Sequence, residues 1–220
     1  MADTNEPGRR AGYHHGALPD ALTAAALALL DEGGLDRVTV RETARRAGVS
    51  PGAPFRHFAD REALLTAVAA DVLADFRRWQ EAALAEVADR PAMWVFGRSF
   101  IRYATVHPHR FELLRRSVYG PRRVPELRPY VDEVERLVGE VVAGGQRSGE
   151  LRPGDPAVVA LAGHALVYGL CQMIVDGFLP EDQVESLVDQ VLDTIGIGLA
   201  RPPGEDPPGI DGNAGGVCNR

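Results

Sequence analysis

The stretch Thr39–Val68, TVRETARRAGVSPGAPFRHFADREALLTAV, decides the fold. Thr39 precedes Glu42 by the spacing of a capping box, in which the threonine side chain accepts from a backbone N–H and the glutamate reaches back to the cap. A short helix therefore begins here and ends at Ala47, with Gly48 as the turn. Ser50 reads as the cap of the next helix and Pro51 as its first residue, where a missing N–H costs nothing. Asp60 caps a further helix, Arg61 to about Ala88, with Leu64, Leu65, Val68, Val72, Phe76 and Trp79 as its apolar face. Two short helices parted by Gly48-Val49 form a helix-turn-helix. Ala44 permits close approach, Gly48 turns the chain and Val49 plugs the space between them. In such a unit the first helix braces, and the second is exposed enough to enter a major groove.

On the N-terminal side, Leu18, Leu22, Ala25, Ala26, Leu29 and Leu30 recur at helical spacing up to Glu32, and Gly33-Gly34 stops that helix. Residues 1–16 read as a flexible arm carrying Arg9, Arg10, His14 and His15. The two histidines have two readings, a minor-groove contact beside the arginines or plain exposed loop. On the C-terminal side the pattern stays helical. Pro91 opens a segment through His107, and Pro108 another through about Tyr119. After the link Gly120-Pro121-Arg122-Arg123 comes an amphipathic stretch from Val124 to Gln146, then an almost wholly apolar one from Ala157 to Phe178. Pro180-Glu181-Asp182 opens the last helix, to about Ala200. Residues 201–220 hold nine Pro or Gly and read as a disordered tail. With no repeat and no alternating strand pattern, the chain is all-α. The expected organisation is an arm (1–16), a three-helix helix-turn-helix domain (17–62), a helical ligand-sensing and dimerisation bundle (63–200) and a tail (201–220).

The charge pattern fits that division. The 220-residue chain has a net charge of −7, which argues against indiscriminate nucleic-acid binding. Between Asp36 and Arg61, however, six arginines face three acids, a local basic face of the kind DNA recognition requires. All 24 basic residues are arginine. The N-terminus has no h-region and no apolar run is read as approaching bilayer length, so the expected location is the cytoplasm, away from membrane. Two cysteines, Cys171 in an apolar segment and Cys218 in the tail, make no disulfide framework and suit a reducing compartment.

Residues 39–68, together with the preceding YHHGALPDALTAAALALLDEGGLDRV, resemble the DNA-binding domain of the tetracycline-repressor (TetR) family over about residues 13–70. The resemblance implies three DNA-binding helices followed by a larger helical domain that dimerises and holds an inducer. Carried over position by position, it places Thr39 and Arg41 against DNA backbone or bases, with Arg41 suited to a bidentate contact with guanine. It places Ser50, Pro51, Gly52 and Ala53 in the exposed first turn of the recognition helix, and Arg56 and His57 at its groove-facing and backbone-facing end. It makes Arg61 a phosphate grip. Phe55 stands where the family usually has a tyrosine whose hydroxyl bonds phosphate, so only ring contact remains, and Pro54 removes another donor. These departures imply either weaker backbone anchoring or compensation by Arg56. Phe58 reads as core and Phe55 equally as core or contact; Arg45 and Arg46 read as a solvated face.

Phe96 to Ala104 and Val106 to Phe111 resemble the sensor domain of one TetR subgroup. Phe96, Phe100, Tyr103 and His107 share one helix face, continued by Phe111; His164, Tyr168, Cys171 and Val175 make another stripe. Facing each other they would enclose an apolar pocket with a few polar groups, for a small-molecule effector. The other reading of each residue is core, with His107 and His164 as structural histidines and Cys171 as a packing residue; no metal or other cofactor is expected. Leu166, Leu170, Ile174, Leu187, Val191, Ile195 and Leu199 offer more apolar surface than one bundle can bury. With Gly163, Gly169, Gly196 and Gly198 for close approach, they read as a homodimer interface.

The sequence thus points to a dimeric, ligand-responsive transcriptional repressor that binds double-stranded DNA at a palindromic operator and is released by a small, largely apolar molecule. The alternative is a helical ligand-binding or interaction protein with a non-functional helix-turn-helix. An enzyme is not expected, since there is no G-x-S-x-G elbow, phosphate-binding loop, zinc spacing or dinucleotide fingerprint.

Overall fold

The computed structural model describes residues 17–86, 89–120 and 124–200, with side chains of Ala17 and of residues 195–200 left aside. The arm with Arg9, Arg10, His14 and His15, the helix end at Ala88, Pro121-Arg122-Arg123 and the tail with Cys218 lie outside the described residues. So do the side chains of Ile195 and Leu199.

Among the described residues the chain is helical, without a strand: α1 Ala17–Gly33, α2 Val40–Arg46, α3 Arg61–Glu86, α4 Ala92–Val106, α5 Pro108–Val118, α6 Arg128–Ser148, α7 Pro156–Val175 and α8 Val184–Ala200. Short 3-10 turns at Leu35–Arg37, Pro54–Arg56, Pro125–Leu127 and Glu181–Gln183 punctuate them. The described residues fall into two compact units, one within Met1–Trp79 and Arg102–Glu135, the other within Gln80–Ile101 and Arg136–Arg220.

In the first unit α1 contributes Leu22, Ala26, Leu29 and Leu30, and α3 contributes Leu64, Val68 and Val72, all at most 1% exposed. Each such aliphatic side chain stabilises the fold by about 1.5–3 kcal/mol on leaving water. Thr39 caps α2, with the Glu42 N–H donating to Oγ1 at 3.1 Å. The return half of the expected capping box does not form. Glu42 instead takes a fork of hydrogen bonds from Arg45 at 2.6 to 3.2 Å, because a charge-assisted pair outcompetes a neutral N–H. Gly48 holds φ at 70°, where a side chain would be strained. Asp60 caps α3 through the Ala63 N–H at 2.8 Å.

The segment expected as a recognition helix from Pro51 is not an α-helix. It is a turn over Pro51–Ala53 and one 3-10 turn over Pro54–Arg56. The cause is Pro54. An α-helix capped at Ser50 needs its first hydrogen bond from the N–H of residue 54, and proline has none. The Ser50 carbonyl is taken by the Ala53 N–H at 3.0 Å instead.

In the second unit, α7 starts on Asp155, whose side chain accepts from the Ala157 N–H at 2.9 Å, and ends where Gly177 takes φ 70°. It is 20 residues long, with a mean hydropathy of 1.9 over its most apolar 18-residue window, which makes it long and apolar enough to cross a bilayer. That corrects the expectation that no run approaches that length. Length and composition alone also describe a helix that packs on protein.

Candidate DNA-binding site

The helix-turn-helix presents its polar groups from two anchors. Pro54 and Phe58 are buried, and the Phe58 N–H donates back to the Pro54 carbonyl at 2.9 Å. The three residues between them, Phe55, Arg56 and His57, are exposed. Phe58 is core as read from sequence; Phe55, 59% exposed, is not. Thr39, Arg41, Ser50, Pro51 and Gly52 are exposed too, and Ala53 is half-buried.

The arginines of this region divide sharply. Arg45 is held by Glu42, and Arg46 is paired with Glu32 of α1; both arginines are exposed, on the solvated face expected, and Arg46 also links α2 to α1. These pairs hold Glu32 and Glu42 below the usual carboxylate range. Arg61 reaches backbone instead. Its Nε donates to the Val38 carbonyl at 2.7 Å and a terminal nitrogen to the Leu35 carbonyl at 2.6 Å. Those carbonyls flank the 3-10 turn before α2; the Leu35 carbonyl also accepts the turn's own bond from the Val38 N–H at 3.1 Å, and the guanidinium fork at the start of α3 bonds both carbonyls. Arg61 therefore braces the helix-turn-helix through two of its nitrogens, while its side chain stays 33% exposed. Arg41 and Arg56 make no ion pair among the described residues. With Arg37, also exposed and outside any ion pair among the described residues, they are cations this face leaves open to a polyanion.

The residues read as ligand contacts fall into two groups. Phe96 and Phe100 of α4 lie in the same unit as the α7 residues His164, Tyr168 and Cys171. Phe100 meets the His164 ring edge-on at 5.7 Å, and His164 stacks on Tyr168 at 5.9 Å. Burial lowers the His164 pKa and pushes the Cys171 thiol up to about 12. Buried Gln80 donates to the Phe96 carbonyl at 3.3 Å, and its Oε1 has no partner among the described residues.

Tyr103, His107 and Phe111 belong to the other unit. Tyr103 packs edge-on against Phe76 and Trp79 of α3 at 5.1 and 5.6 Å, with the His107 ring at 4.9 Å. Its hydroxyl donates to Asp75 at 3.1 Å. Burial first, then the Asp75 charge, raises its pKa well above the ordinary phenol value. His107 is held below its ordinary value by burial and then by Arg110. Arg110 joins this cluster, donating to Asp75 at 2.8 Å and to both oxygens of Asp31 on α1. Sequence reading missed that cluster, because its members lie on four helices, α1, α3, α4 and α5, with no local spacing to connect them.

On α7, Val159, Gly163, Val167, Leu170 and Cys171 are buried. Gly163 is filled from its own protomer, since a Cβ there would sit 2.4 Å from Met93 Cε. Leu170, 7% exposed, likewise packs inward rather than standing open at an interface. The exposed apolar residues are Val158, Leu161, Met173 and Val175, while Gly169 has open space before it. Leu187 and Val191 of α8 line a shallow depression with Gln190 and Thr194.

A helix-turn-helix that faces solvent with unpaired arginines on an otherwise acidic chain defines a DNA-binding regulator. Residues 22–68 match the sequence model of bacterial regulatory proteins of the tetR family, and residues 95–195 that of the tetracyclin repressor-like C-terminal domain. The chain belongs to the TetR family, whose members are transcriptional regulators. A 57-residue segment is 44% identical to the tetracycline repressor protein class A from transposon 1721 of Escherichia coli and covers 26% of each chain. The match thus spans about a quarter of that relative's length. Over whole chains, the structure of a protein with unknown function from Rhodococcus sp. RHA1 is similar at TM-score 0.75 and 29% identity, covering 86% of this chain and 98% of the other. The transcriptional regulator FadR from Bacillus subtilis in complex with stearoyl-CoA shares the fold at TM-score 0.59 and 18% identity, over 81% and 98%.

Proposed function

We propose that the protein is a homodimeric repressor that binds an inverted-repeat operator and is released by a small, largely apolar molecule held in the helical bundle. The observation that carries the DNA half is the exposed set Thr39, Arg41, Arg56 and His57 on a helix-turn-helix where Arg45, Arg46 and Arg61 are occupied. Arg41 takes the bidentate contact with guanine, and Arg56 stands at the groove beside Phe55. Ser50, Pro51, Gly52 and Ala53 supply a slim turn that lets the backbone approach the duplex.

Dimerisation is supported by the exposed apolar stripe of α7, with Leu161 67% exposed. A surface of that kind is unfavourable in water and typical of an interface core. One recognition segment contacts few bases, and a twofold pair contacts two half-sites. The effector site is supported by Phe96, Phe100, His164, Tyr168 and Cys171, an apolar group whose histidine burial keeps neutral. Within the other unit, Tyr103, His107 and Phe111 are a second set of candidate effector contacts. A ligand acts by favouring a state whose two recognition segments no longer match successive grooves.

The test is selection of duplexes from a random pool by the purified chain, followed by gel shifts at increasing salt. A dyad-symmetric site with a steep salt dependence is expected. Absence of any enriched duplex at low salt overturns the proposal.

A further inference from the structure

We infer that Phe55 is a specificity residue, reading the C5-methyl group of a thymine in the major groove; the inference rests on the DNA-binding reading above. Buried Pro54 and Phe58 pin the two ends of the segment, so the ring between them is held outward at 59% exposure. No packing role accounts for it, since a core phenylalanine is covered and this one is not. Its neighbours Arg56 and His57 are exposed as well. A polyanion drawn to Arg41 and Arg56 therefore brings its groove against this ring.

The chemistry then narrows the partner. Phenyl carries no donor, so it gains nothing from a phosphate oxygen, and a base edge rich in acceptors would lose water against it without return. The apolar group that the major groove offers is the thymine methyl. Covering one methyl is worth about 0.8 kcal/mol, about fourfold in affinity, and about fifteenfold when both half-sites of a dyad contribute. The class of ligand is thus a duplex with a thymine at one fixed position in each half-site.

The experiment uses the full chain and a duplex enriched by it from a random pool. Each thymine is replaced in turn by deoxyuridine, which removes the methyl and leaves the base pairing. Wild type is expected to lose about fourfold per half-site at one symmetric thymine position. Phe55→Ala, which keeps its fold because the ring is exposed, is expected to bind more weakly and to be indifferent to uridine there. Phe55→Leu keeps the sensitivity. Equal uridine penalties in wild type and Phe55→Ala overturn the inference while leaving DNA binding intact. So does a Phe55→Ala loss that is the same on selected and random duplexes, which marks sugar contact. Failure to enrich any duplex overturns the DNA-binding reading, and this inference with it.

Discussion

Arg110 and Asp31, 79 residues apart in sequence, meet in a two-pronged ion pair at 2.7 and 2.8 Å. The Arg110 side chain is only 16% exposed, and its remaining nitrogen holds Asp75. Asp31 sits in the last turn of α1, next to Glu32, which holds Arg46 of α2. Two adjacent carboxylates thus tie α5 and α2 to the end of one helix. Beside them buried Gly34 turns at φ 74° beneath the His109 ring, which a Cβ there would meet at 3.1 Å. α5 and α2 therefore share one anchor at the end of α1. Arg110→Ala strands two carboxylates that water reaches in part, so the expected cost is about 2 kcal/mol, below that of a fully buried pair. That corresponds to a fall of roughly 4–8 °C in the unfolding midpoint. Tyr103→Phe removes one hydrogen bond from Asp75 and leaves the arginine, costing about 0.5–1 kcal/mol. Thermal melts of the two variants check the order; equal midpoints would contradict it.

Arg61 tests what a structure adds to motif reading. Its two hydrogen bonds go to the Leu35 and Val38 carbonyls, so Arg61→Ala should destabilise the chain by about 2 kcal/mol, as loss of charge-assisted bonds does. Arg61→Lys should restore only part, because an ammonium lacks the fork that spans both carbonyls. The salt slope of DNA binding, measured where both proteins are folded, should stay unchanged. A slope smaller by about one phosphate contact would return Arg61 to the role its sequence position implies.

The helices were legible wherever a cap and a period agreed. Thr39 and Asp60 mark starts with side-chain caps, and Gly48 marks a turn by its positive φ; the Asp155 cap of α7 was seen only in the structure. The recognition segment was misread because Ser50-Pro51 is a good helix start, while Pro54, one turn on, deletes the first bond such a helix needs. Partners, not exposure, separate the arginines. Sequence gives Arg41, Arg46 and Arg61 the same charge, whereas their partners lie 14 residues or more away for Arg46 and at backbone carbonyls for Arg61. The Asp31–Arg110–Asp75–Tyr103 cluster carries no sequence period at all. Its members meet only once four helices are packed.

Cys171 gives a pH prediction. Burial pushes its thiol from an ordinary 9.0 to about 12, so the neutral form belongs to the folded state. A group with a raised folded pKa contributes stability that is complete below its unfolded value. Here that contribution declines as pH rises from about 9 toward 12, by up to about 1.4 kcal/mol per pH unit. Urea unfolding of wild type and Cys171→Ala from pH 8 to 11 should show their stability difference shifting steadily toward the alanine variant. In a Cys218→Ser background, Cys171 should also resist iodoacetamide at pH 8 while folded. Rapid alkylation there would show that the α7 site opens to solvent.

Arg41 and Arg56 should separate by sequence dependence. Arg41→Ala is expected to cost about 1–3 kcal/mol on the selected duplex and much less on random DNA, relaxing the preference at one guanine position. Equal losses on both would move Arg41 from base reading to backbone attraction. Because neither arginine has an ion pair among the described residues, neither alanine variant should lower the unfolding free energy by more than about 0.5 kcal/mol.

The exposed stripe of α7 predicts the assembly. Leu161 is 67% exposed on a helix whose most apolar window has a mean hydropathy of 1.9 and is only 28% buried. A charge placed there is solvated in a lone protomer and stranded in an interface, where an unpaired buried ion costs several kcal/mol. Leu161→Arg should therefore leave helicity intact, shift sedimentation from dimer to monomer, and weaken DNA binding by more than tenfold because the half-sites are no longer bridged. Gly169→Leu should act in the same direction, since nothing in its own protomer stands within 4 Å of the added side chain's first carbon. A Leu161→Arg protein that still sediments as a dimer would move the interface off this face, and Leu187 and Val191 of α8 would be the next positions to charge.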